Sequence, residues 1–128
     1  DAFKILFTQK NCIFYGLQYG AAGRLLEPYE TEDNIINLSQ KLGDFAQTAA
    51  IISQLDLLIS IDTYAPHLAG AMGIPAWIIL PFSPDWRWNE GKTNNTWYPS
   101  ARLFKQEIPG DWSHPVCKVA SQLKLLIP

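Results

Sequence analysis

The chain has 128 residues, enough for one domain with a hydrophobic core and too few for two ordinary ones. Apolar residues make up 48%, charged residues 17%, and the formal net charge is −2, which excludes both a disordered chain and a basic nucleic-acid binder. No apolar run approaches the ~20 residues needed to cross a bilayer. Lys4 and Lys10 bracket too few apolar residues for a signal peptide, so a cytoplasmic protein is expected. The first residue is Asp1 and the single methionine is Met72, which points to a piece of a longer polypeptide. Cys12 and Cys117 lie far apart, in a strand-like and a helix-like run, and are expected to be two reduced, buried thiols and not a disulfide. Asn94-Asn95-Thr96 fits a glycosylation acceptor, but without a secretory signal the match is taken as chance.

In chain order, residues 1–9 suit the tail of a helix, with Phe3 and Phe7 one turn apart. Residues 12–17 are short, apolar and rich in β-formers, which predicts a buried strand. A polar stretch over 18–34, with Gly20, Gly23, Pro28 and an acidic cluster, suits a loop with at most a short helical turn. Ile35-Ile36-Asn37-Leu38 predicts a second strand. Asp44 then opens a helix to about Leu55, with Phe45, Ala49, Ile52 and the small Ala46 and Ala50 on the face expected to pack on the sheet. Residues 56–61 predict a third strand and 63–72 a helix, stopped by Gly73 and Pro75. Residues 76–80 predict a fourth strand, and 81–99 a loop crowded with large aromatics. Arg102-Leu103-Phe104 suits a short edge strand. A last helix from about Ser113 carries the stripe Val116, Val119, Ala120, Leu123, Leu126 and Ile127. Strands alternating with helices predict a single α/β domain over 1–128 with a mostly parallel, Rossmann-like sheet flanked by helices.

The most informative stretch is the junction at Asp62, where a strand turns directly into a helix. In parallel α/β sheets such junctions bind anions, because free backbone N–H groups and the helix dipole point out of them. Pro66 lacks an N–H and suits only the first turn of the helix. Thr63 is then the natural N-cap, its hydroxyl predicted to accept from the Ala65 N–H, with the Tyr64 N–H left facing outward. Such amides and a threonine hydroxyl can hold phosphate, Asp62 can accept from sugar hydroxyls, and His67 can donate to a phosphate oxygen when protonated. The same residues also suit ordinary capping with His67 as a hydrogen-bonded core histidine, and spacing alone does not choose. Neither a Gly-x-Gly-x-x-Gly nor a Walker sequence is present, which argues against a dinucleotide cofactor and a P-loop. Without an Asp-x-Asp pair, no metal is expected at the diphosphate.

Asp62-Thr63 followed by His67-Leu68-Ala69-Gly70-Ala71-Met72-Gly73-Ile74-Pro75 resembles the signature of heptosyltransferase-like glycosyltransferases. Asp44-Phe45-Ala46-Gln47-Thr48-Ala49-Ala50 before it, and Asp85-Trp86-Arg87-Trp88 and the run from Trp97 to Phe104 after it, extend the likeness. Together they resemble the C-terminal domain that bacteria attach to tetratricopeptide repeats, over most of the chain from Cys12 onward. The resemblance implies the C-terminal half of a two-domain GT-B enzyme, the half that binds a nucleoside diphosphate sugar. Thr63, Tyr64 and Ala65 would meet the diphosphate, Asp62 the sugar and His67 the phosphate region. Gln18 would face the same crevice, and Arg87 would offer a charge to phosphate. The catalytic base, the acceptor site (for a protein acceptor, on this likeness) and the N-terminal half would lie outside this sequence.

Two positions depart from the family pattern: Tyr64 stands where glycine is usual, and Gly16 replaces a serine. Tyr64 is the best support for the alternative of a degenerate, non-catalytic protein-interaction module on the same fold, which would grip a protein with the aromatic loop. An epimerase-like sugar-nucleotide enzyme is a third possibility. Trp86, Trp88, Trp97 and Tyr98 offer flat faces for a base or sugar, or else simply pack over the end of the sheet.

Overall fold

A computed structural model describes residues 2–88 and 95–128; Asp1, Asn94 and positions 89–93 of the expected aromatic loop lie outside the described residues. The elements in order are α1 (Lys4–Phe7), β1 (Phe14–Gly16), a 3₁₀ stretch (Gly20–Tyr29), β2 (Ile35–Asn37) and a 3₁₀ turn (Ser39–Lys41). Then follow α2 (Phe45–Ile52), β3 (Leu58–Ile61), α3 (Tyr64–Ala71), β4 (Ala76–Leu80), a 3₁₀ turn (Trp86–Trp88), β5 (Ala101–Lys105) and α4 (Ser113–Leu126). β1 pairs with β2, and β3, β4 and β5 form a second ladder with β4 in the centre; every pairing is parallel. The fold is Rossmann-like α/β.

β4 shows why. All five of its residues are buried, and the pleat sends them alternately to two different cores. Ala76, Ile78 and Leu80 face Ile52 of α2 and Ala65 and Ala69 of α3. Trp77 and Ile79 face Leu6 of α1 and Val116, Val119, Ala120 and Leu123 of α4. The sheet is therefore covered on both sides, as a continuous apolar strand requires.

No ladder joins β1–β2 to β3–β5 among the described residues; side chains do. Phe14 packs on the same apolar cluster as Leu57 and Ile59, and Leu17 packs on the opposite one. The Asn34 side chain adds hydrogen bonds to the carbonyls of Phe7 (3.0 Å) and Gln9 (3.3 Å).

Several sequence expectations need correction. β1 is shorter than the run 12–17 and is not buried, since it pairs with β2 alone among the described residues; Ile13 and Tyr15 are exposed. Cys117 is exposed on α4 and Cys12 only partly buried, where the sequence predicts two buried thiols. Ala46 and Ala50 of α2 are exposed and not on its buried face. The segment 18–34 is not mainly a loop: ten residues form 3₁₀ turns, with Gly23 buried. Gly16 at the end of β1 makes room for Leu26 of this stretch, since a Cβ there would meet the Leu26 side chain. Phe45 is 68% exposed, not buried, because it opens α2 and turns toward Tyr64, at 5.3 Å between ring centroids. β5 is a full five-residue strand and not a short one. Leu126 drops out of the buried stripe of α4, lying at the last helical position and 62% exposed.

The stop after α3 follows the sequence. Gly73 adopts φ +72, its N–H reaches the Gly70 carbonyl, and the Pro75 carbonyl accepts from Leu58 to begin the β3–β4 ladder.

Candidate functional site

β3, β4 and β5 run parallel, so Ile61, Leu80 and Lys105 end on one side of the sheet. Gln106 seats the chain leaving β4. Its N–H donates to the Leu80 carbonyl (3.0 Å), and its Oε1 accepts from the Phe82 and Gly110 N–H groups at 3.1 and 3.2 Å. The loop so anchored carries Asp85 and the turn Trp86–Trp88 back toward the start of α3.

At that start, Asp62 Oδ1 lies 3.7 Å from His67 Nε2, both side chains being about a quarter exposed (28% and 27%). The other ring nitrogen, Nδ1, is 3.2 Å from the Tyr98 hydroxyl. Trp88, only 1% exposed, lies against the imidazole at 4.8 Å and 32° between planes. Tyr98 meets the imidazole edge-on at 5.7 Å. The indole Nε1 of Trp88 is buried without a hydrogen-bond partner.

Asp85 Oδ1 accepts from Arg87 twice, from Nε at 2.8 Å and from the backbone N–H at 3.0 Å. Those bonds hold the Asp85 carboxyl below its ordinary range, with His67 a smaller contributor. Asp85 in turn raises the Arg87 guanidinium, and Asp62 adds to the effect. Asp62–His67 and Asp85–Arg87 are two separate pairs, with nitrogen–oxygen distances of 3.7 and 2.8 Å.

The two longer helices of this layer begin differently. α2 is capped: the Asp44 carboxylate accepts from the Gln47 N–H at 2.8 Å, and Gln47 Oε1 accepts from the Gly43 N–H at 2.9 Å. α3 has no capping side chain. Thr63 does occupy the N-cap position with extended backbone, but the bond to Ala65 expected from the sequence is not made. Its hydroxyl turns instead to Ser60 Oγ on the preceding strand, 3.4 Å away. Pro66 is buried in the first turn, where its missing N–H leaves no gap.

Of the residues singled out from the sequence, Asp62, Thr63, Tyr64, Ala65 and His67 meet at this mouth, while the Arg87 side chain pairs with Asp85. The Tyr64 ring is turned toward Phe45 at the start of α2. Gln18 stays exposed beyond β1, and no hydrogen bond or ion pair ties it to the mouth. Trp86 and Trp97 are 73% and 65% exposed and contact each other at 6.5 Å, whereas Trp88 and Tyr98 pack inward.

Sequence reasoning missed the bond between Tyr98 and His67 and the role of Asn95. Asn95 is 3% exposed; its Oδ1 accepts from the N–H groups of Trp97 (2.9 Å) and Tyr98 (3.0 Å), while Nδ2 donates to the Arg87 carbonyl at 2.6 Å. An asparagine followed by a turn that it can close on itself was the available signal.

Two concavities lie away from this cluster. One of about 770 Å³ is lined by Gly20, Arg24, Glu30, Asn37 and Ser39 among others, and one of about 490 Å³ by residues around Asn11 and Asn34. The residues singled out from the sequence at the start of α3 line neither of these two concavities. No group of three potential metal ligands occurs among the described residues. No described helix is long and apolar enough to cross a membrane.

The chain is similar to Protein FlbA of Caulobacter vibrioides, at 30% identity over 118 residues. That alignment takes in 88% of this chain and 19% of FlbA, so the chain spans about a fifth of that relative's length. No family model and no solved structure matches the chain.

Proposed function

We propose that this chain is the donor-binding domain of a cytoplasmic, heptosyltransferase-like glycosyltransferase, taking a nucleoside diphosphate sugar and inactive without an N-terminal half. The observation that carries the proposal is the uncapped start of α3. α2 satisfies its first amides with Asp44, while α3 leaves its own without a side-chain acceptor and holds the Thr63 hydroxyl clear of them. Amides at the positive end of a helix dipole suit phosphoryl oxygens. On this reading Asp62 accepts from sugar hydroxyls beside them, His67, 3.7 Å from Asp62, offers a donor, and Arg87, paired with Asp85, offers a positive charge.

In a transfer reaction the negative charge that grows on the departing diphosphate would be stabilised by these donors. The resemblance to glycosyltransferases attached to helical repeats supports this assignment. The partial overlap with the much longer FlbA is in keeping with a domain that works as part of a larger protein. A thermal-shift series with ADP, UDP and GDP tests it, since a ligand that binds only the folded state raises the melting temperature. A rise with at least one nucleotide, smaller but still measurable in Asp62→Ala or His67→Ala, is expected. No rise with any of them at millimolar concentration refutes the assignment.

One observation favours a second reading, a non-catalytic interaction module: the exposed, mutually packed Trp86 and Trp97. Tyr64→Gly separates the two. Stronger nucleotide binding in this variant means an obstructed donor site, and no binding in either form favours the module.

A further inference from the structure

We propose that Tyr98 is a positioning residue for His67, fixing the imidazole so that its Nε2 edge faces Asp62 and the mouth of α3. What this implies for binding rests on the donor-domain proposal; the positioning itself does not. A neutral imidazole donates from one nitrogen and accepts at the other. The Asp62 carboxylate, 3.7 Å from Nε2, favours the proton there. Nδ1 is then the acceptor, and the Tyr98 hydroxyl at 3.2 Å supplies its donor. A ring turned over about its long axis would lose both partners. The bond therefore selects one orientation and presents an N–H where a phosphoryl oxygen would compete with Asp62.

The hydroxyl is placed independently of His67, which gives the relationship its direction. The Tyr98 backbone N–H donates to Asn95 Oδ1 at 3.0 Å, and Asn95 is fastened to the Arg87 carbonyl. The Tyr98 ring lies in the notch that Gly70 leaves in α3, where a Cβ would run into the ring. Gly70 stands three residues after His67, so notch and imidazole share one face of the helix. Trp88 also lies against the imidazole, at 4.8 Å, and contacts the Tyr98 ring at 6.3 Å.

Tyr98→Phe keeps the ring in its notch and removes only the hydroxyl. Binding of ADP, UDP and GDP is measured by calorimetry for the parent chain, Tyr98→Phe, His67→Ala and the double variant. The loss of one ordinary hydrogen bond predicts binding weaker by about fivefold in Tyr98→Phe and no further loss when His67 is already alanine. Equal losses in both backgrounds, or none in either, overturn the proposal, because a purely structural Tyr98 acts whether or not His67 is present. If the parent chain binds none of the three nucleotides, the donor assignment fails, and the His67 Nδ1 nitrogen resonance of the neutral ring decides the positioning. That resonance is expected to move toward the value of an unbonded acceptor in Tyr98→Phe, and an unchanged resonance overturns the proposal.

Discussion

Gly70→Ala is the sharpest test of the packing around α3, because general helix preference and this structure predict opposite signs. In an exposed helix the change should stabilise by about 1 kcal/mol, alanine being the better helix former. Here the added Cβ would meet Cβ, Cγ and Cδ1 of Tyr98, the root of the side chain and not a flexible tip. The ring cannot swing aside freely, because the Tyr98 backbone is tied to Asn95. Overpacking of this kind costs about 1–3 kcal/mol. Displacing the ring also loses the hydroxyl bond to His67, about 1 kcal/mol more. After the helix-propensity gain, the net destabilisation should be about 1–3 kcal/mol, a fall in melting temperature of roughly 3–12 °C for a domain of this size. Melting curves for Gly70→Ala, Tyr98→Ala and the double variant check the cause. With the ring gone, the cost of Gly70→Ala should fall sharply, only the 2.9 Å approach to the Cβ of residue 98 remaining. A stabilising Gly70→Ala in the parent chain, or additive effects across the cycle, would refute the reasoning.

Three further outcomes are expected. Asn95→Ala strands two N–H groups and one carbonyl and should destabilise by about 2–4 kcal/mol in urea titrations; a change well under 1 kcal/mol would contradict the role described for Asn95. The Lys118 ammonium bonded to Glu107 holds that carboxyl below its ordinary value, with His114 assisting. Its small stabilising contribution is present above the unfolded glutamate pKa and fades as pH falls through the lower folded value. Lys118→Gln should bring the Glu107 carbon resonance back to an ordinary glutamate titration, and an unshifted midpoint would show that the pair is not formed in solution. Burial, with Asp56 nearby, raises the Cys12 thiol, whereas Cys117 is exposed on α4. Iodoacetamide should therefore modify Cys117 well before Cys12, as peptide mass spectrometry would show, and equal rates would contradict the burial of Cys12.

Elements with a local signal were legible in the sequence. The unbroken apolar run of β4, the Gly73–Pro75 stop and the period of α4 each state a rule that the backbone then obeys. The 3₁₀ stretch from Gly20 was not legible, since it has no helical apolar period and contains Pro28. Phe45 misled because amphipathic spacing ranks faces of a helix and says nothing about where the sheet beneath ends. The five neighbours from Asp62 to His67 could be gathered by eye because they are contiguous. Tyr98 could not: it is 31 residues from its partner, and the contact depends on a glycine notch and a buried asparagine. Thr63 failed as a cap for a similar reason, since Ser60 offered its hydroxyl another partner.

The absence of a ladder between the β1–β2 pair and the three-stranded sheet has a dynamic consequence. Parting the two along that seam exposes apolar side chains but ruptures no inter-strand amide bond, so it requires less free energy than opening either ladder. Slow amides should therefore fall into two cooperative groups under native-state hydrogen exchange, with β4 in the more protected one. A molecule spanning the carboxyl ends of both groups would stitch them together and slow the exchange of each, reporting its own presence far from the atoms it touches.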